Sequence, residues 1–292
     1  MSYNSIYDII GLHNEVNRLE TQAKLGWDKE FRTLKWLGLR DGMKILDVGA
    51  GPGAYTELLL ENLPNSKITA LEIDKKNGST IAVVDDRKTR VTYGDLCDFS
   101  ENFSKVLPER TLTFILAENS IGSLLGYVAM LSNRVVPLIL SHNIDKALFE
   151  HLYDLYQPKY LWVPERQVQE FNGAVVYQSH GYALLSTGLQ PATLYDELSL
   201  LLPTSGSTGS PKLVRHSYRN IEANARNVAQ LFQLTGAERP MAALPMHYTM
   251  GLSVIASHLY AGCTIYLSDR SLADKEFWVT MKDERITSFT GV

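Results

Sequence analysis

The chain of 292 residues is 45% hydrophobic and 21% charged, with a formal net charge of -4. That length suffices for two domains or one large core, and the composition excludes a disordered or low-complexity chain. A mildly acidic balance gives no electrostatic footprint for nucleic acid or an anionic membrane, so neither is expected as a partner.

Cys97 and Cys263 stand far apart in apolar settings, which predicts buried free thiols in a reducing compartment. No Cys/His spacing suits a metal. Met1-Ser2-Tyr3-Asn4 lacks the basic-then-apolar order of a secretory signal, and the chain reads as cytoplasmic. The most apolar stretch, Leu112 to Leu140, is interrupted by Glu118, Asn119, Asn133 and Arg134. A buried strand-helix-strand unit is therefore expected there rather than a membrane span.

In chain order, residues 5 to 40 carry apolar positions at helical spacing, among them Leu19, Ala23, Trp27, Phe31, Leu34 and Leu37. A strand is predicted from Met43 to Val48, a glycine turn from Gly49 to Gly53, a helix from Tyr55 to Asn62 and a second strand from Lys67 to Ile73. That is a β-α-β unit, which implies a parallel pair. Beyond Asp74 follow a strand over Thr80 to Asp86, the string Val91 to Leu96 leading into a helix, and a strand over Leu112 to Leu116. Helix Ile121 to Leu131, strand Val135 to Leu140, helix Asp145 to Tyr156, and strands Tyr160 to Val163 and Ala174 to Gln178 continue the alternation. The fold class this predicts is α/β, doubly wound, with a mostly parallel sheet. Two domains are expected, residues 1–77 and 78–292.

Two strings carry chemistry. In Leu46-Asp47-Val48-Gly49-Ala50-Gly51-Pro52-Gly53, glycines let backbone approach a ligand closely. Glu72 closes the next strand, where a carboxylate can accept from ribose hydroxyls. Gly49, Gly51 and Ala54 also fit a loose G-x-G-x-x-A dinucleotide loop. However, Asp47 would set a carboxylate beside the pyrophosphate, which suits a cationic ligand better, and Pro52 lies within the loop. A glycine turn that binds nothing is the third reading. Residues 1–74 resemble the front of a class I S-adenosylmethionine-dependent methyltransferase, which implies S-adenosylmethionine contacts from Asp47, Gly49, Gly51, Gly53 and Glu72. The later strands of that family have no counterpart here, so methyl transfer is not expected.

The second string is Thr204-Ser205-Gly206-Ser207-Thr208-Gly209-Ser210-Pro211-Lys212, after the apolar Leu200 to Pro203. Gly206 and Gly209 allow close approach, the hydroxyls of Thr204, Ser205, Ser207 and Thr208 can donate to phosphate oxygens, and Lys212 adds a cation. Backbone N–H groups in such a loop form an anion-binding concavity. The Walker pattern is not met. The string resembles the phosphate loop of the adenylate-forming superfamily, which includes acyl-CoA synthetases. Val91-Thr92-Tyr93-Gly94-Asp95-Leu96 resembles that family's T-Y-x-E-L element, with Asp95 for glutamate. Asn133 to Pro137 resembles its small-residue turn into a proline-containing strand, and Leu244-Pro245-Met246-His247-Tyr248-Thr249-Met250-Gly251-Leu252 its L-P-x-x-H/N-x-x-G-L element. The resemblance covers residues 79–292.

It implies a two-step reaction. A carboxylic acid attacks ATP to give an acyl-adenylate and pyrophosphate, and CoA or a carrier-protein thiol then takes the acyl group. Lys212 would follow the pyrophosphate, His247 would line the site, and magnesium would accompany ATP with its usual carboxylate ligand beyond residue 292. His216 is expected on the helix after the loop, facing solvent, with no role. Arg285 to Val292 is expected as a core strand of an interrupted domain, since the family's adenine-contacting, ribose-binding and hinge elements come later. Incomplete activation, or nucleotide binding without chemistry, is the resulting expectation.

Overall fold

A computed structural model describes residues 12–48, 54–71, 78–190, 193–203 and 212–291. The chain divides into two units, Met1–Lys76 and Asn77–Val292. In the first, helix α1 (Leu12–Trp36) precedes strand β1 (Lys44–Val48), helix α2 (Ala54–Asn62) and strand β2 (Lys67–Leu71). β1 and β2 are parallel, with Asp47 opposite Ala70, as the β-α-β pattern predicts. Trp27 and Phe31, four apart on α1, stack at 4.8 Å and pack with Leu59 and Leu63. The Asp41 carboxylate accepts from the backbone N–H of Gly42 and Asn65 and from the Asn65 amide, tying the amino ends of β1 and β2 together.

The second unit holds two sheets. Strands β3 (Ile81–Asp85) and β4 (Arg90–Thr92) open one of them. Helix α3 (Tyr93–Val106), strand β5 (Leu112–Ala117), helix α4 (Ile121–Ser132), strand β6 (Val136–Ser141), helix α5 (Lys146–Tyr156) and strand β7 (Tyr160–Pro164) follow. After a 3-10 turn (Glu165–Glu170) come β8 (Ala174–Ser179), β9 (Tyr182–Ser186), β10 (Leu198–Pro203) and β11 (Leu213–Ser217). Helix α6 (Tyr218–Leu231), β12 (Pro240–Ala242), helix α7 (Thr249–Ala261), β13 (Ile265–Leu267), helix α8 (Lys275–Asp283) and β14 (Ser288–Phe289) complete the order.

The larger sheet runs β11-β10-β6-β5-β7-β9-β8 and the smaller β14-β12-β13-β3-β4. β10, β6, β5 and β7 are mutually parallel; β11 pairs antiparallel to β10 on one side, and on the other β9 pairs antiparallel to β7 and β8 antiparallel to β9. In the smaller sheet only β4 is antiparallel. This is the doubly wound, mostly parallel α/β class read from the sequence.

β5 and β6 are apolar at nearly every position because both faces of a parallel sheet are covered. One face packs Phe114, Leu116, Leu138, Leu140 and Leu161 against Leu148 and Phe149 of α5. α4 is buried on every side and contacts β3 as well as β5, β6 and β7, so it lies between the two sheets. That accounts for its uniform apolarity, and each fully buried Leu or Met there contributes about 1.5–3 kcal/mol. The apolar run Leu112 to Leu140 is thus a strand-helix-strand unit, and among the described residues no helix is long and apolar enough to cross a membrane.

Three expectations need correction. Cys263 is buried, but Cys97 is only half-buried, because its helix presents that position at the rim rather than to the core. His216 lies on β11, not on the following helix, which its neighbour Ser217 caps; pairing with Leu200 makes it part of a hairpin. Among the described residues 285–291, only Ser288–Phe289 form a strand. It is the edge of the smaller sheet with Phe289 43% exposed, not a core strand, since only β12 pairs with it.

Candidate functional site

The carboxyl ends of parallel strands are where doubly wound sheets bind ligands, and here the ends of both sheets meet. Pro203 and Leu213 are partners in the antiparallel β10–β11 pair, and Thr204 to Lys212 is the sequence that joins them. Leu201 of β10 stands opposite Leu138 of β6, which sets the carboxyl end of β10 near the carboxyl end of β6. Lys212 is exposed immediately before β11. Thr204, Ser205, Gly206, Ser207, Thr208 and Gly209 lie outside the described residues, as do Gly49, Gly51, Gly53 and Glu72. Asp47 is described only through its backbone in β1.

His142 follows β6, where its backbone N–H donates to Ala117 O at 3.1 Å and its carbonyl accepts from the Gln167 side chain. His247 comes from the smaller sheet, on the turn between β12 and α7. That turn is tight: Tyr248 N donates to Pro245 O at 3.0 Å. Gly251 on the first turn of α7 lies so close beneath it that a Cβ there would stand 2.3 Å from Pro245 O and 2.7 Å from Leu244 O. The glycine of the L-P-x-x-H string is thus required by close approach of backbone, and glycine alone permits it. His247 is half-buried, and burial first, then the neighbouring His142, lowers its pKa from 6.5. A neutral imidazole at neutral pH can donate or accept one hydrogen bond without adding charge.

Around this pair stand acidic groups that sequence reading did not single out. Glu118, just after β5, forms an ion pair with Arg166 at 2.6 Å. Asp269, after β13, accepts the Asn119 backbone N–H at 3.0 Å. Asp269 keeps an exposed face, yet desolvation by the groups packed around its carboxylate raises its pKa; that hydrogen bond opposes the rise, Glu118 adds to it, His142 opposes it and Asp86 adds to it. Asp86 in turn accepts from Ser268 Oγ and from Asp269 N. The available signal was positional. Glu118-Asn119-Ser120 and Ser268-Asp269-Arg270 are polar trios directly after apolar strands, the place where α/β folds keep their polar business ends. Among the described residues, no group of three or more His, Cys, Asp or Glu side chains could hold a metal ion.

The Thr92–Asp95 string has a structural role. Thr92 caps α3 and Asp95 completes the box: Asp95 N donates to Thr92 Oγ1 at 3.1 Å, and Thr92 N donates to Asp95 Oδ2 at 2.7 Å. Hydrogen bonds from Thr92 hold the Asp95 carboxyl below its usual pKa. Aspartate does here what glutamate does in a longer capping box.

A family model described as AMP-binding enzyme matches residues 72–292. A 2-succinylbenzoate–CoA ligase of Enterococcus faecalis is 33% identical over 81 residues, which cover 28% of this chain and 16% of that protein. Apo MatB from Rhodopseudomonas palustris superposes with TM-score 0.63 at 17% identity, covering 75% of this chain and 47% of that one. The O-succinylbenzoate coenzyme A synthetase MenE from Bacillus subtilis, in complex with ATP and magnesium ion, gives TM-score 0.58 at 18% identity, over 74% of this chain and 61% of that one. At these identities the structural likeness is one of fold, and the chain spans less than two thirds of the length of each of these proteins.

Proposed function

The chain belongs to the AMP-binding enzyme family, and from that premise we propose that it binds ATP through residues 204–212 and acts in converting a small carboxylic acid to its acyl-adenylate, with CoA as the thiol that takes the acyl group. The observation that supports this reading is the β10–β11 register: Pro203, at the carboxyl end of β10 in the larger sheet, pairs with Leu213, and Thr204 to Lys212 is the sequence that joins them. Bound ATP supplies the electrophilic α-phosphorus. The acid's carboxylate attacks it and pyrophosphate leaves; the thiol sulfur then attacks the acyl carbon and AMP leaves. In such chemistry the protein mainly positions groups and stabilises charge. Thr204, Ser205, Ser207 and Thr208 donate hydroxyls to phosphate oxygens, Gly206 and Gly209 admit the nucleotide, and Lys212 follows the departing pyrophosphate. His247, kept neutral by burial, lines the acid side without competing for the phosphates. Magnesium accompanies the nucleotide. The name of the Enterococcus relative supports CoA over a carrier-protein thiol.

Calorimetry with ATP, paired with ATP–pyrophosphate exchange over a panel of carboxylic acids, tests this. Binding that weakens tenfold or more in Lys212→Ala, together with acid-dependent exchange, is expected. Equal ATP affinity in wild type and Lys212→Ala would remove the loop assignment. ATP binding without exchange for any acid would reduce the function to nucleotide binding.

The parallel β1-α2-β2 unit favours a second reading for the front of the chain. Residues 1–77 form a separate methyltransferase-like domain from 78–292, in which Asp47, Gly49, Gly51, Gly53 and Glu72 hold S-adenosylmethionine without methyl transfer. Titration with S-adenosylmethionine in wild type and Asp47→Ala decides it, and absence of heat in wild type would end it.

A further inference from the structure

We propose that Asn119 is a positioning residue that seats the His247 turn on the end of β5; the functional part of this proposal rests on the reading of His247 given above. Asn119 stands two residues past β5 and one before Ser120, which caps α4. It is 5% exposed and belongs to the strand end of the larger sheet, yet its side-chain partners all come from the smaller one. Its Oδ1 accepts from Met246 N at 3.0 Å, one residue before His247. Its Nδ2 faces the carbonyls of Ala242 at 3.3 Å, Leu244 at 3.1 Å and Ser268 at 3.1 Å. Its backbone N–H goes to Asp269 Oδ1. One amide therefore gathers the carboxyl ends of β12 and β13 and the whole approach to His247.

The residue type follows from the partners. Three converging carbonyls need a donor, and the buried Met246 N–H needs an acceptor on the same planar group, a combination that a primary amide supplies with two N–H donors on one side and an oxygen acceptor on the other. Aspartate would aim a carboxylate at three carbonyl oxygens beside Asp269. Serine would fall short of them, and glutamine would overreach. Truncation takes this acceptor from the buried Met246 N–H and this donor from the carbonyls of Leu244 and Ser268, while Ala242 O keeps the Ser268 N–H; a buried polar group that loses its partner is costly. The turn between Ala242 and His247 has no other side chain bracing it in this way among the described residues. Loosening it frees His247 to move toward solvent. Misplacement by about 1 Å is enough to lower a reaction rate by about a hundredfold.

Three measurements on the full chain test the proposal. In the wild type, the Met246 amide should exchange with solvent at least about a hundredfold more slowly than a coil amide; exchange at the coil rate overturns the bracket without any variant. In Asn119→Ala, and in Asn119→Ser should the first not fold, that protection should drop at least tenfold, and the His247 titration midpoint followed by NMR should rise toward 6.5. The midpoints of His216 and His258 should stay in place, which separates a local effect from general loosening. A folded variant in which Met246 protection and the His247 midpoint are unchanged refutes the proposal. His247→Gln distinguishes the two claims. If it leaves ATP and acid binding intact while Asn119→Ala still moves His247, the seat stands and the role assigned to His247 falls.

Discussion

Gly251→Ala is the most direct perturbation of the candidate site that removes no proposed functional group. An added Cβ would stand 2.3 Å from Pro245 O, 2.7 Å from Leu244 O and 2.9 Å from the Pro245 carbonyl carbon. All three are backbone atoms, so no side-chain rotation relieves the overlap; either α7 or the turn must shift by about 1 Å. Overpacking of this kind costs about 1–3 kcal/mol. Alanine's better helix propensity returns at most about 1 kcal/mol. The net runs from near zero to a loss of roughly 3 kcal/mol, and for a unit the size of Asn77–Val292 each kcal/mol lost lowers the melting midpoint by about 2–4 °C. Thermal melting of wild type and variant measures it, with the His247 midpoint as a local reporter. The sign is decisive. A variant that melts higher than wild type, as a glycine with free space around it would, refutes the close-approach argument.

Gly126→Ala should be more damaging, because its Cβ would fall 2.2 Å from Nε1 of the fully buried Trp162, whose indole donates to Gly122 O; a loss of about 3 kcal/mol or failure to accumulate as folded protein is expected, and wild-type stability would contradict it. Arg110→Lys should lose about 2–4 kcal/mol by denaturant titration, since its guanidinium donates to the carbonyls of Arg134, Tyr195, Asp196 and Leu198, a fork that an ammonium cannot reproduce. Stability should also depend on pH through His216, His247 and His258, whose pKa values are all lowered from 6.5, chiefly by burial. The unfolded chain binds protons more readily than the folded one between those lowered values and 6.5, so this contribution is complete above 6.5 and is lost as pH falls below it. Asp269, raised above 3.8, acts in the opposite sense at lower pH. Denaturation midpoints that stay flat between pH 7 and 5 would contradict the burial of these rings.

Local signals carried well from sequence to structure. Asp145 caps α5, its carboxylate accepting from Leu148 N, as a polar residue before an apolar helical run should. The strand-helix-strand reading of Leu112 to Leu140 follows from polar interruptions that turned out to be helix caps and strand ends. What sequence periodicity could not give is pairing. Nothing in Thr80 to Asp86 says that its neighbour is Ile265–Leu267, or that these strands form a second sheet, because each is only three to five residues long and its partner is remote. The misplacement of His216 has a similar cause: β11 alternates too weakly to distinguish an exposed edge strand from the start of an amphipathic helix. The Thr204–Lys212 string and His247 could be named from sequence; Asn119 could not. Its importance lies in five partners drawn from residues more than a hundred positions away.

The smaller sheet takes β3 and β4 from one end of the unit and β12 to β14 from the other, with the larger sheet threaded between them. Thr264 Oγ1 donates to Ile81 O across 183 residues. On a ribosome adding about 5–20 residues per second, β3 would wait roughly 10–40 s for its parallel partner to be made. During that interval Ala82, Val83 and Val84, all buried in the finished fold, have only the short β4 beside them. An open apolar strand held that long is a site for mispairing between nascent chains. Slower translation or a missing chaperone should therefore lower the yield of folded protein before any change in its final stability is detectable.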